Sequence, residues 1–222
     1  NSATAALTGT VVIEGLVTGD FQDTKQAMRG FFVQEEDAEQ DLDPTTSEGI
    51  FVLDNGFGVD VANGDGVRVR GQVDEFQGMT RLKRVSAVEV CSSGNPLTPS
   101  VLTLPLADSA DLEPYEGMLV AIDGPLTVAQ TYFLGRYGQM TLSAGLRPFQ
   151  PTHLYPPDSP EAVALATENA RRLFVLDDGQ EIRAAGDNPN PVPYLGGPPP
   201  AVIRSGGAGT NVVGLLDERR IK

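Results

Sequence analysis

The 222 residues carry 30 acidic and 16 basic side chains and a single His, for a net charge of −14. That charge opposes non-specific contact with phosphate backbones or anionic membranes, so any nucleic-acid role must come from a local patch or a tethered domain. No apolar run reaches the ~18 residues that a spanning helix needs, and one Cys and one His exclude an internal disulfide and argue against His-based triads and zinc clusters.

Hydrophobic residues make up 40% of the chain but aromatics only 6%, with no Trp, so the core is expected to be aliphatic. The 25 Gly and 17 Pro fall as punctuation between Val- and Leu-rich runs, the pattern of a β protein with many turns. Residues 8–18 read as a β-branched strand in which Gly15 marks a bulge. Gly30-Phe31-Phe32-Val33-Gln34 is the second strand. The acidic stretch that follows (Glu35, Glu36, Asp37, Glu39, Asp41, Asp43) ends at Pro44 and reads as a solvated loop, since it lacks the spacing of a specific calcium loop. Residues 49–53 form the third strand, closed by an Asp54-Asn55-Gly56 turn. Residues 67–73 and 81–90 supply two more, joined at Gln77-Gly78. Five short strands in this space fit a small Greek-key barrel, of which the OB-fold is the commonest kind.

Residues 93–114 read as a linker with one helical turn between Asp108 and Pro114. The second module is expected to start at Tyr115. Pro160 to Arg172 is its one helix, with Pro160 and Glu161 in the first turn and Ala162, Val163, Leu165, Ala166 and Ala170 as its apolar face. The Pro/Gly/Asn segment at 186–200 cannot be a central strand. His153, in a Pro-rich stretch, reads as a loop residue.

The chain nearly repeats itself. The run from Gly64 to Glu75 lines up in constant register with the run from Gly207 to Glu218. Phe51-Val52-Leu53-Asp54-Asn55-Gly56 matches Phe174-Val175-Leu176-Asp177-Asp178-Gly179, and Val12-Ile13-Glu14-Gly15 resembles Ala121-Ile122-Asp123-Gly124. Self-similarity of this kind sets the architecture. The expectation is a mainly all-β chain of two tandem OB-fold-like barrels: residues 1–92, a linker at 93–114, and 115–222. The second carries an inserted helix and lacks its last strand, as expected of a piece of a longer protein. Val212, Val213, Leu215 and Leu216 are then expected to form an exposed edge open to pairing between chains. Because the Asp-x-Gly segments recur at strand ends, they read as turns rather than catalytic carboxylates.

One local basic spot stands out. With the hairpin centred on Gln77-Gly78, Asp74 faces Arg81 and Gln72 faces Lys83. Alternation then places Arg68, Arg70, Arg81 and Lys83 on one sheet face, opposite Val67, Val69, Val73 and Leu82. Such a face can track phosphates, or it can be a solvated outer surface that keeps the sheet soluble. The second copy has Asn211 and Val213 where the first has Arg68 and Arg70, and does not share it. Arg136 and Tyr137, in Gly135-Arg136-Tyr137-Gly138, offer stacking groups for a base or sugar, or a loop packed on a barrel mouth. Phe31 is a further stacking candidate.

Several of these segments carry a family likeness. Tyr115-Glu116-Gly117-Met118-Leu119-Val120, Gly124-Pro125-Leu126-Thr127-Val128, Leu134-Gly135-Arg136-Tyr137-Gly138, Gln150-Pro151-Thr152 and Asn188-Pro189-x-Pro191-x-Pro193-Tyr194 resemble the N-terminal region of the large secreted bacterial extracellular nucleases. Gly30-Phe31-Phe32-Val33-Gln34 and Gly49-Ile50-Phe51-Val52 look like the same family's OB-fold domain. The resemblance implies a secreted, extracellular protein whose OB-like modules precede a metal-dependent catalytic domain of the endonuclease/exonuclease/phosphatase type. That domain's His, Asp, Asn and Glu motifs have no counterpart in this chain, so no catalytic or metal-binding residue is assigned. No cofactor is expected here, and a divalent metal is expected only for the catalytic domain. The expected partners are DNA or RNA and the protein's own C-terminal catalytic domain, with no membrane. The alternative is a structural spacer or protein-interaction module, and a carbohydrate- or calcium-binding module comes third.

Overall fold

A computed structural model describes residues 8–22, 28–41, 43–179, 192–196 and 201–217. Glu218 and most of the 186–200 segment lie outside the described residues. The chain divides into two compact units, each discontinuous in sequence: Asn1–Val101 with Ala110–Ala121 and Val213–Lys222, and Leu102–Ser109 with Ile122–Val212.

The first unit is built on a closed barrel of β1 (Gly9–Phe21), β2 (Gly30–Gln34), β3 (Gly49–Val52), β4 (Gly66–Phe76) and β5 (Met79–Ser92), in the order β1-β2-β3-β5-β4. The strand runs read from the sequence are all present, each within a few residues. β1 serves two neighbours: it pairs with β4 from Gly9 to Leu16 and with β2 from Leu16 to Phe21. At the handover a Cβ on Gly15 would lie 2.7 Å from the Gln34 carbonyl oxygen, so only glycine lets the two strands approach. The bulge falls between Val17 and Gly19 rather than at Gly15. β3 and β5 close the barrel as a parallel pair, Phe51 opposite Arg81 and Val52 opposite Leu82.

Val17, Phe31, Val33, Val52, Val61, Val67, Val69 and Leu82 fill the interior. A second cluster of Phe32, Phe51 and Met79 is packed by Phe21, Met28, Leu53 and Leu215. All five residues of β2 are buried as a result. A continuous apolar run rather than alternation is the signature of a strand covered on both faces. Leu215 belongs to the short β12 described below. Its place in this cluster, with Leu216 half-buried, corrects the expectation that Leu215 and Leu216 stand exposed, whereas Val213 does.

The first unit also holds most of a three-stranded sheet, β12-β7-β6, made of β6 (Ser100–Leu102), β7 (Leu119–Ile122) and β12 (Val212–Leu215). The residues ahead of β7 are fastened to the barrel. Ser47 Oγ donates to the Glu116 carbonyl at 2.5 Å, and the Leu119 N–H donates to Gln34 Oε1 at 2.9 Å. Gly49 and Gly117 meet so closely that a Cβ on Gly49 would stand 2.5 Å from the Gly117 carbonyl carbon.

The acidic segment between β2 and β3 is a loop whose carboxylates serve its own turns. Asp41 accepts the Asp43 N–H at 2.7 Å, and Asp43 accepts the Thr45 N–H and hydroxyl at 2.9 and 2.7 Å. Beside it, a cleft of about 180 Å³ is lined by Asp43, Glu48, Tyr115 and Met118 among others. Burial, a hydrogen bond shared with Glu35 and the charge of Asp41 push the Glu48 carboxyl up to about 7. A carboxyl raised on folding stabilises the protein fully below its ordinary value, near 4.5, and that contribution is lost as pH rises through about 7. Replacing Glu48→Gln is therefore expected to raise Tm by on the order of 2 °C at pH 8 and by nothing at pH 4.5. Thermal melts of both proteins across that range check it, and an equal gain at both ends would exclude a proton shared by Glu35 and Glu48.

The second unit holds β8 (Leu126–Gln130), the one-turn helix α1 (Leu134–Tyr137), β9 (Met140–Ala144), α2 (Pro160–Arg172), β10 (Leu173–Leu176) and β11 (Ala208–Gly209). Its strands form a four-stranded sheet in the order β10-β9-β8-β11. The sheet is open among the described residues, where no strand joins β10 to β11, in keeping with the expected second module that lacks its last strand. α2 spans the predicted residues; Ser159 Oγ caps it by accepting the Ala162 N–H at 3.2 Å. Its predicted apolar face is only partly used, since Ala162 is buried while Val163, Ala166 and Ala170 stay exposed. Near its C-terminal end, Arg171 and Arg172 bind Glu168 at 3.2 and 2.6 Å.

Candidate nucleic-acid interface

The turn that joins β4 to β5 decides the register of the basic face. Gln77 and Gly78 both have positive φ, 59° and 96°, as a two-residue hairpin turn requires. Phe76 is thereby paired with Met79, Asp74 with Arg81, and Gln72 with Lys83, as the sequence predicts. Val67, Val69 and Leu82 point into the barrel, and Arg68 and Arg70 point out. Arg68, Arg70, Arg81 and Lys83 thus share the outer face of the β4–β5 ribbon.

The carboxylates among them change its character. Arg81 donates to Asp74 Oδ2 from Nε at 3.1 Å and from Nη2 at 2.9 Å, while Lys83 Nζ reaches Oδ1 at 2.6 Å. The Lys83 hydrogen bond first, and Arg81 with it, holds the Asp74 carboxyl below the usual carboxylate range. Arg81 also lies over the Phe76 ring, 4.0 Å from its centroid. Arg68 stands opposite Glu14 on β1 and opposite Glu89 on β5. It contacts them at 2.7 and 4.0 Å, and the Glu14 bond raises its already high pKa.

Arg70 differs from the other three: its partner is the Ser86 hydroxyl at 3.2 Å. Arg84, which the sequence reading missed, adds a fifth cation. It bonds the Gln72 side-chain carbonyl at 3.0 Å from a left-handed position, φ 49°, within a bulge where β5 carries extra residues opposite Gly71. Gly71 within a β-branched run was the available signal for that bulge.

Phe31 is not part of any surface. It is fully buried in the barrel interior, which corrects its assignment as a stacking residue: no ligand face of its ring is free. Arg136 and Tyr137 lie together in α1 of the second unit, with the guanidinium carbon 5.1 Å from the ring centroid. Phe133 packs on Tyr137 at 5.7 Å and Tyr132 on Phe133 at 4.9 Å, and Tyr132 and Phe133 are exposed.

Asp54 and Asp177 act as turn residues, accepting the N–H groups of Gly56 and Gly179 at 2.9 and 2.7 Å. Among the described residues, no group of three or more His, Cys, Asp or Glu is placed to hold a metal ion. No helix of the described residues is long and apolar enough to cross a membrane. No family model, curated protein or solved structure matches the chain.

Proposed function

We propose that this chain is a non-catalytic accessory region of a secreted, extracellular nuclease, and that its barrel holds or orients nucleic acid on the outer face of β4–β5. The observation that carries the reading is the outward row of five cations on a closed five-stranded barrel within an otherwise acidic chain. Strand order β1-β2-β3-β5-β4 with one parallel closing pair supports an OB-fold, a frame used to bind oligonucleotides. The likeness of the strand and loop motifs to extracellular nucleases supplies the nuclease context. Any divalent metal and the phosphodiester chemistry belong to the catalytic domain, to which these modules would be tethered.

A specific observation favours a second reading, a docking module or spacer that binds no nucleic acid. Three of the four predicted cations already hold carboxylates. Only Arg70 and Arg84 have neutral partners. Fluorescence anisotropy with labelled single- and double-stranded DNA separates the two. If Arg70 and Arg84 carry the contact, log affinity should fall against log salt with a slope of about −1 to −2. Changing both to Ala should then remove the binding. No binding even at low salt would leave the docking reading.

A further inference from the structure

The segment between β8 and β9 gathers exposed rings. Tyr132 is 80% exposed and meets Phe133 edge-on at 4.9 Å, and Phe133 meets Tyr137 at 5.7 Å. The Arg136 guanidinium lies 5.1 Å from the Tyr137 ring centroid. No residue of α1 is buried, so these rings add little to a core. The segment is nonetheless fastened at its exit, where the Tyr194 hydroxyl donates to the Gly138 carbonyl and the Gln139 amide donates to Asp177. Two more guanidiniums are brought to the strand that leads into it. β8 bulges between Val128 and Gln130, and the extra residue, Ala129, gives its carbonyl to Arg147 Nε at 3.1 Å. The turn that carries Arg204 is fastened one residue earlier: the Gly206 N–H donates to the Val128 carbonyl at 2.7 Å, and the Val128 N–H donates to the Gly207 carbonyl at 2.8 Å. Tyr132 follows Ala129 by three residues, which span at most about 11 Å. Arg136, Arg147 and Arg204 are all exposed, and none of them reaches a carboxylate among the described residues, whereas Arg171 and Arg172 of the same unit do.

From this we infer that the turn between β8 and β9 is a site for single-stranded nucleic acid, with a base stacked on Tyr132 and neighbouring phosphates held by Arg136, Arg147 and Arg204. The rings select the strand. A duplex keeps its base faces stacked inside, whereas a single strand offers them to an aromatic platform. The cations select the charge: three guanidiniums without carboxylates, in a chain of net charge −14, suit an anion and not an uncharged sugar. The site shares the ligand class proposed for β4–β5 and none of its residues. The loss expected from changing Arg70 and Arg84 to Ala is then complete for duplex and partial for single strand.

Fluorescence anisotropy of the whole chain carrying Arg70→Ala and Arg84→Ala tests the site, with a labelled oligothymidylate of about 15 nucleotides as the probe. This protein is expected to bind the single strand and not a duplex. Adding Tyr132→Ala should weaken that binding at least about fivefold, while Tyr132→Phe, which keeps the ring, should leave it within about twofold. Adding Arg136→Ala with Arg147→Ala should flatten the salt slope by about 1.4, since each phosphate contact to a single strand contributes about 0.7. The absence of single-strand binding would overturn the site, and so would an equal loss with Tyr132→Ala and Tyr132→Phe. Equal binding of an abasic strand of the same length would mark a surface for polyanions at large and overturn it too. The duplex affinity lost on changing Arg70 and Arg84 reports on β4–β5 separately.

Discussion

Replacing Asp74→Asn is expected to lower the stability of the barrel and, if β4–β5 contacts nucleic acid, to strengthen that contact. Asp74 is the one group that neutralises both Arg81 and Lys83, and its side chain is only 20% exposed. Losing the carboxylate leaves two cations adjacent and unpaired on the ribbon. For a partly buried three-membered network the loss is about 1–2 kcal/mol, more than for an exposed pair such as Arg68–Glu14. The pH dependence has a definite sign. The Asp74 pKa is lowered on folding, so its contribution is present at neutral pH and is lost as pH falls through the folded value. Wild type and variant should thus converge in acid. The two cations released from Asp74 would add phosphate contacts and tighten DNA binding at low salt by about 3- to 10-fold. A variant that loses stability and gains no affinity would show that the basic ribbon is a solvated face, and the docking reading would then stand. A variant as stable as wild type would mean that the three-membered network contributes nothing.

The register near the hairpin tip was legible because a Gln-Gly pair between two strands fixes a two-residue turn, and every pair from Phe76–Met79 to Gln72–Lys83 follows by counting. Counting fails beyond Gly71. Continued regularly, it would set Arg70 against Val85 and Arg68 against Ala87. The bulge at Arg84 moves Ala87 opposite Arg70 and Glu89 opposite Arg68. The sequence reading therefore set no acid opposite Arg68, where the fold places Glu89. Glu14 was hidden for a second reason, since the β1–β4 pairing is long-range and no turn reports its register. The fate of Leu215 is of the same kind: nothing local says that a strand near the C-terminus packs on Phe32, Phe51 and Met79. The repeat did carry through to structure. It anticipated β10 and β11 of the second unit and the absence of a last strand, but not β8 and β9, which lie outside the matched segments.

The largest loss of stability is expected from Phe31→Ala. The side chain is fully buried among Val17, Val33, Val52, Val61, Val67, Val69 and Leu82, all of them small or medium aliphatics that cannot swing in to fill a ring-sized void. Deleting a buried ring of this kind costs about 3–5 kcal/mol through lost transfer energy and the residual cavity. That is a large part of the 5–15 kcal/mol that a domain typically has, so denaturant unfolding should show the barrel close to the edge of stability at 37 °C. Tyr137→Ala, at a partly exposed position in the second unit, should shift the same transition by about 0.5 kcal/mol or less. The pair also separates packing from recognition. Where the Phe31→Ala protein remains folded, its DNA affinity should match wild type, since the ring has no face toward solvent. A mild loss of stability with a large loss of affinity would mean that the β2 strand opens to admit a base. Gly30 and Gly49 argue against such opening. A Cβ at Gly30 would strike the backbone carbonyl of Val52, and Gly49 is pressed against Gly117, so both ends of the β2–β3 pair are held by contacts that tolerate no side chain.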